Sequence, residues 1–121
     1  MPDQQDTFSP EFMDKYHLLQ EQEASSRQEL ADLALAKVAD IARMLKERYG
    51  VRAVYLYGSL AWGGFGRGSD LDLLVTGFKG DFWSMYLNAE AIALPFEMNL
   101  VCAEDAHPSL RDEVGRRGVL L

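Results

Sequence analysis

Between Val51 and Thr76 two apolar runs, rich in β-branched and aromatic residues, bracket a glycine-rich stretch. The first ends Tyr55-Leu-Tyr57 and runs into Gly58-Ser59; the second opens Asp70-Leu-Asp72 and continues Leu-Leu-Val75. Both read as strands. With a side-chain period of two, Asp70 and Asp72 share one face of the second strand, and Leu71, Leu73 and Val75 share the other. The apolar face has to enter a core, so the face with the two carboxylates has to line a cleft. A chain bound by that condition builds a sheet buried on one side and acidic at one place on the other.

The surrounding segments supply the helices. Ser9-Pro10-Glu11 reads as an N-cap with proline at the first helical position, after a disordered tail at residues 1–8. Phe12, Tyr16 and Leu19 then recur at helical spacing, which predicts a helix over about 10–24. Ser26 and Glu29 have the spacing of a capping box. Leu30, Ala34, Val38, Ile41 and Leu45 follow as a 3.6-period stripe that Gly50 ends, with Lys46 and Arg48 in the last turn. The residues between the two helical segments are almost all polar, so the sequence permits one long helix or two.

Strands are expected at about 52–57, 70–76 and 96–102. Phe82 to Leu94 reads as a helix capped by Asp81 and stopped by Pro95. Pro108-Ser109-Leu110 opens a short terminal helix that Gly115 or Gly118 closes. The order α-β-β-α-β-α predicts an α/β (α+β) fold, a small mixed sheet with helices packed on it. Residues 28–121 form that domain, and residues 1–27 are a tail and helical extension.

At 121 residues, with 48% hydrophobic and 26% charged side chains, the chain is expected to be one soluble domain. No apolar stretch reaches the length of a membrane helix, and the acidic N-terminus does not read as a signal peptide. One cysteine, Cys102, excludes an internal disulfide, fits the cytoplasm and reads as a small buried hydrophobe. The formal charge is −7, and both halves are acidic, which argues against a grip on duplex nucleic acid. A small nucleotide screened by a divalent cation, or a basic protein partner, suits that charge better.

Two carboxylates on one face repel and raise each other's pKa unless a cation lies between them. Oxygen ligands of this kind suit Mg2+ or Mn2+ rather than zinc. A Gly58-Ser59 turn ahead of them lets backbone approach a phosphate closely. Turn and acidic pair together imply a nucleoside triphosphate (NTP) and a divalent cation. His17 and His107 lack partners at ligand spacing, and Gly63–Gly68 is no dinucleotide fingerprint, because a strand follows it.

The run resembles the signature of the minimal nucleotidyltransferase family, within the DNA polymerase β-like nucleotidyltransferase superfamily. Its pattern is a hydrophobic run into Gly-Ser, a glycine five residues after the first, then Ser-Asp-x-Asp-Leu-x-Val. Gly58, Ser59, Gly63, Ser69, Asp70, Asp72, Leu73 and Val75 meet it position by position, and the similarity covers about residues 28–121. The resemblance implies that Gly58 and Ser59 bind the β- and γ-phosphates, with Ser69 and Arg67 as further nucleotide contacts. It implies that Asp70 and Asp72 are catalytic and bridge two Mg2+ ions for an in-line transfer.

The family also expects a third carboxylate on a neighbouring strand. Here Asn99 occupies that place, and Asn is a neutral, weaker ligand that cannot act as a base. Glu97 lies on the same strand face, roughly 6.5–7 Å along the strand. Glu97 is therefore a candidate third catalytic and metal ligand, and Asn99 a candidate weak one. Trp62 stands where many members carry arginine, and reads as core cover or as a base-stacking ring. Arg111, Arg116 and Arg117 read as a solvated helix face, with a partner or nucleotide contact as the alternative.

Small members of the family resemble the antitoxins of toxin–antitoxin pairs. That implies transfer of an NMP, with AMP foremost, from NTP (ATP) to a hydroxyl of a HEPN-domain toxin. Alternatives are a nucleotide- or partner-binding module without turnover, favoured by Asn99, and transfer to a small molecule. The N-terminal helix is a candidate surface for homo-oligomer or partner contacts.

Overall fold

The computed structural model describes residues 10–121 and, within the first helix, the side chains other than those at 10, 12, 16, 17, 20, 21, 23 and 24. The expected tail at 1–8 and the Ser9 cap lie outside the described residues, as do the side chains of Phe12, Tyr16 and His17.

The first helix, α1, runs unbroken over Pro10–Tyr49 and crosses the 27/28 boundary without interruption. The two expected helical segments are therefore one, and the Ser26/Glu29 box starts no new helix. A cap acts only where the backbone leaves the helix. Here the flanking Gln, Glu and Arg residues are good helix formers, with no Gly or Pro among them. Among the described side chains, core packing starts at Leu30 and Ala31 and continues through Ala34, Val38, Ile41, Ala42 and Leu45. Leu18, Leu19, Leu33 and Leu35 are exposed. Gly50, at φ +67°, turns the chain into Val51.

Strand β1 (Ala53–Tyr57) leads into a one-turn helix, α2 (Ser59–Trp62), and then the glycine-rich loop. Strand β2 (Leu71–Thr76) returns antiparallel to β1, pairing Tyr57 with Asp72. Helix α3 (Phe82–Ala93) starts with the Asp81 carboxylate accepting from the Trp83 N–H at 3.1 Å. Strand β3 (Met98–Cys102) then lies parallel to β2, pairing Asp72 with Asn99. Helix α4 (Pro108–Arg117) contains Gly115 and ends at Gly118, whose N–H bonds the Val114 carbonyl at 2.7 Å. A two-residue strand, β4 (Val119–Leu120), pairs with β1, so the sheet order is β3-β2-β1-β4. This is the expected small mixed sheet. The sequence reading misses α2 and β4, because four and two residues are too short to carry a period.

Alternation along the strands divides the sheet cleanly. Val54, Leu56, Leu71, Leu73, Val75, Met98, Leu100 and Cys102 face the core with α1 and the buried Met85, Ala89 and Ala93 of α3. Tyr55, Tyr57, Asp72, Leu74 and Asn99 alternate to the other face. There Leu74 and the α4 residue Val114 are buried apart from the main cluster. Helix α4 leaves the end of this face near Tyr57 and Asp72 only partly covered. Among the described residues, no helix is long and apolar enough to cross a membrane.

Candidate active site

Register alone brings the acidic pair to its neighbours. Asp72 is the second residue of β2, opposite Tyr57 on one side and Asn99 on the other. Asp70 lies just before the strand, where the Leu71 N–H bonds the Glu97 carbonyl at 2.8 Å. The Asn99 amide nitrogen donates to Asp72 Oδ1 at 2.9 Å and to Asp70 Oδ2 at 3.2 Å. One neutral side chain thus ties the two carboxylates together.

Burial pushes the Asp72 carboxyl above the usual carboxylate range. The Asn99 hydrogen bond opposes that rise and the charge of Asp70 adds to it. Across the ladder, burial raises the Tyr57 phenol and the charge of Asp72 raises it further. Among the described residues, no ion pair offsets either carboxylate.

The turn ahead of the pair is shaped by the same carboxylate. Gly58 adopts φ +77°, and a β-carbon there would overlap the Asp72 side chain. Its carbonyl accepts from the Ala61 and Trp62 N–H groups at 3.1 and 2.9 Å, which closes α2 directly after the turn. Ser59, half-buried at the head of α2, also lines a cleft of about 340 Å3 with Arg27, Gln28, Leu60, Gly63 and Phe65.

The family model for the polymerase β nucleotidyltransferase domain matches residues 39–121, most of the chain. The chain belongs to the polymerase β nucleotidyltransferase family. The match takes in all four strands, α2, α3, α4 and about the last quarter of α1, and leaves the rest of α1 outside. No curated protein matches the chain. Among solved structures, two crystal structures of mutants of the toxin–antitoxin MntA-HpeT share this fold. One is 22% identical with a TM-score of 0.55 and covers 70% of this chain and 69% of that one. The other is 24% identical with a TM-score of 0.54, covering 71% and 69%.

On this nucleotidyltransferase fold the remaining expected site residues take different places. The Ser69 hydroxyl accepts from the Gly66 N–H at 3.0 Å while the Ser69 N–H bonds the Gly66 carbonyl, so Ser69 latches the loop that precedes Asp70. Arg67 is exposed and lines a hollow with Arg27, Ser26 and Leu30 of α1. Glu97 is exposed one residue before β3, in a surface hollow with Glu90, Leu94, Pro95 and Met98. The structure groups Asn99, and not Glu97, with the two aspartates. Among the described residues, no three His, Cys, Asp or Glu side chains come close enough to hold an ion.

Trp62 has a definite partner. Its indole N–H donates to the Arg117 carbonyl at 2.8 Å, and the Arg117 guanidinium lies over its ring at 4.2 Å from the centroid. The Tyr57 ring is 6.4 Å from it, centroid to centroid. Sequence reasoning misses the pairing of these two residues, because Arg117 is 55 positions from Trp62 and reads first as one more solvated helix cation.

Proposed function

We propose that this nucleotidyltransferase domain moves a nucleoside monophosphate, AMP foremost, from a Mg2+-bound triphosphate to a hydroxyl of a partner protein. The partner is a HEPN-domain toxin, and the protein acts as the antitoxin of the pair. The observation that carries the reading is the convergence of Asp70 and Asp72, tied by Asn99, beside the strained Gly58-Ser59 turn. The likeness in fold to the toxin–antitoxin MntA-HpeT supports a toxin as the partner.

The donor set fits a hard divalent cation. Two carboxylates and one amide offer oxygen atoms alone, once the Asn99 amide turns its oxygen rather than its nitrogen to the site. Asp70 and Asp72 would hold Mg2+ or Mn2+, which supplies charge neutralisation for the triphosphate and for the attacking oxygen. The chain's own groups do the rest. Gly58 lets the backbone reach the β- and γ-phosphates, and the Ser59 hydroxyl and N–H donate to them. The acceptor oxygen forms a bond to the α-phosphorus while the bond from that phosphorus to the bridging oxygen breaks. Pyrophosphate leaves with the electron pair, and the hydroxyl proton passes to a carboxylate of the pair or to water.

A second reading, a nucleotide- or partner-binding module without turnover, is favoured by one observation. The side chain touching both aspartates is an amide, not a third carboxylate. One experiment separates the two. The protein is incubated with Mg2+, ATP labelled at the α-phosphate, and a HEPN-domain protein encoded beside it. Label on the partner, absent with Asp70→Asn plus Asp72→Asn, establishes transfer. Label absent with wild type but present with Asn99→Asp establishes the binding module, and label in neither rejects both the substrate and the partner.

A further inference from the structure

We propose that Arg117, held against the ring of Trp62, is a polyphosphate-binding residue of this site and that Trp62 is its positioning residue. The inference rests on the nucleotidyltransferase reading above and adds to it a cation delivered from α4, at the other end of the matched segment.

Two contacts fix Arg117 to one side chain. The Trp62 indole N–H bonds its carbonyl at 2.8 Å, and the same ring lies under its guanidinium at 4.2 Å. A guanidinium laid on an indole loses rotamer freedom yet keeps its in-plane N–H donors at the edge, the geometry that grips phosphate oxygens. Its remaining described partner is Glu113, at 3.8 Å, too long for a hydrogen bond, and the side chain is 55% exposed.

The position of the pair argues for a role in the site. Trp62 is the last residue of α2, and its N–H bonds the Gly58 carbonyl at 2.9 Å, so its backbone lies one turn from Gly58 and Ser59. Its ring abuts that of Tyr57, which faces Asp72 across the ladder. Arg117, Trp62, Tyr57 and Asp72 therefore form one continuous path on the face of the sheet that carries the acidic pair. The path places a cation beside a site whose own charged groups, Asp70 and Asp72, are both anionic. A divalent ion between those aspartates neutralises them, and a triphosphate still carries negative charge that an arginine at this rim can meet.

The test measures binding of MgATP, inorganic tripolyphosphate with Mg2+, and AMP to the full chain. Arg117→Gln keeps the backbone carbonyl that Trp62 uses and removes only the cation. It is expected to weaken MgATP and tripolyphosphate about tenfold, the worth of one charge-assisted contact, and to leave AMP unchanged. Arg117→Lys is expected to recover part of the loss. Trp62→Leu removes the stack and is expected to reproduce the Arg117→Gln loss, with no further loss when the two are combined. Trp62→Phe, which keeps a ring without the N–H donor, is expected to fall between. Unchanged MgATP affinity in Arg117→Gln, alongside its loss in Asp70→Asn plus Asp72→Asn, overturns the inference and leaves the nucleotide site standing. Equal weakening of MgATP and AMP also overturns it, because a structural role moves both. Failure of the wild-type protein to bind MgATP overturns the inference and the nucleotide reading together.

Discussion

Gly58 and Asp72 compete for the same volume: the Asp72 carboxylate occupies the space a β-carbon at position 58 would need. Gly58 also adopts φ +77°, a conformation costly for other residues. Gly58→Ala is therefore expected to lose about 1–3 kcal/mol of stability from backbone strain, and to turn the Asp72 side chain away from Asn99. Denaturant melts read the first effect. Loss of Mg2+-dependent nucleotide binding, measured at temperatures where the variant stays folded, reads the second.

Asn99→Asp exchanges a donor for a third negative charge. Without metal, the variant loses the bonds at 2.9 and 3.2 Å to Asp72 and Asp70 and gains repulsion from both. It is expected to be about 1–3 kcal/mol less stable than wild type under those conditions. Mg2+ is expected to raise its melting temperature more than it raises that of wild type. Equal melting temperatures without metal would contradict the hydrogen-bonding scheme.

The stability of the metal-free protein is expected to depend on pH through Asp72. Burial raises this carboxyl in the fold, so the native state holds its proton more tightly than the unfolded chain does. Its contribution is fully present below the ordinary carboxylate value and fades as pH rises through the raised native value. Urea titrations in EDTA across the acidic range are expected to show that decline, and Asp72→Asn is expected to flatten it.

Helix α1 is held by a narrow set of contacts. Ile41 is fully buried in the core, whereas Leu18 is 53% exposed. Ile41→Ala is expected to cost about 3 kcal/mol, and Leu18→Ala to stay within about 0.5 kcal/mol of wild type. Thermal melts of the two variants side by side make the comparison.

Much of this fold is legible in the sequence, because it follows from short-range rules. Alternation in Leu71–Val75 assigns the core face, and the 3.6-period stripe from Leu30 to Leu45 assigns the buried side of α1. Asp81 caps α3 as its position before Phe82 predicts. The acidic pair is legible for the same reason, since Asp70 and Asp72 sit two apart in one run. What is not legible depends on register between distant segments. Parallel pairing of β2 with β3 sets Asn99 against Asp72; the family resemblance puts Asn99 there, but no local pattern of its own specifies which residue of β3 arrives. The Trp62–Arg117 contact spans 55 positions and follows from the path of α4, not from either residue's surroundings. The continuity of α1 through Ser26 is a milder case, in which good helix formers on both sides outweigh a local stop-and-start signal.

The unbroken course of α1 has a mechanical meaning. Forty residues of helix make a rod about 60 Å long. Among the described side chains, its grip on the sheet begins only at Leu30. A molecule that seizes the first half would hold a lever whose fulcrum is the Val38, Ile41 and Leu45 seam. Torque on that lever would bear on α3 and β1, the two elements that α1 packs against most.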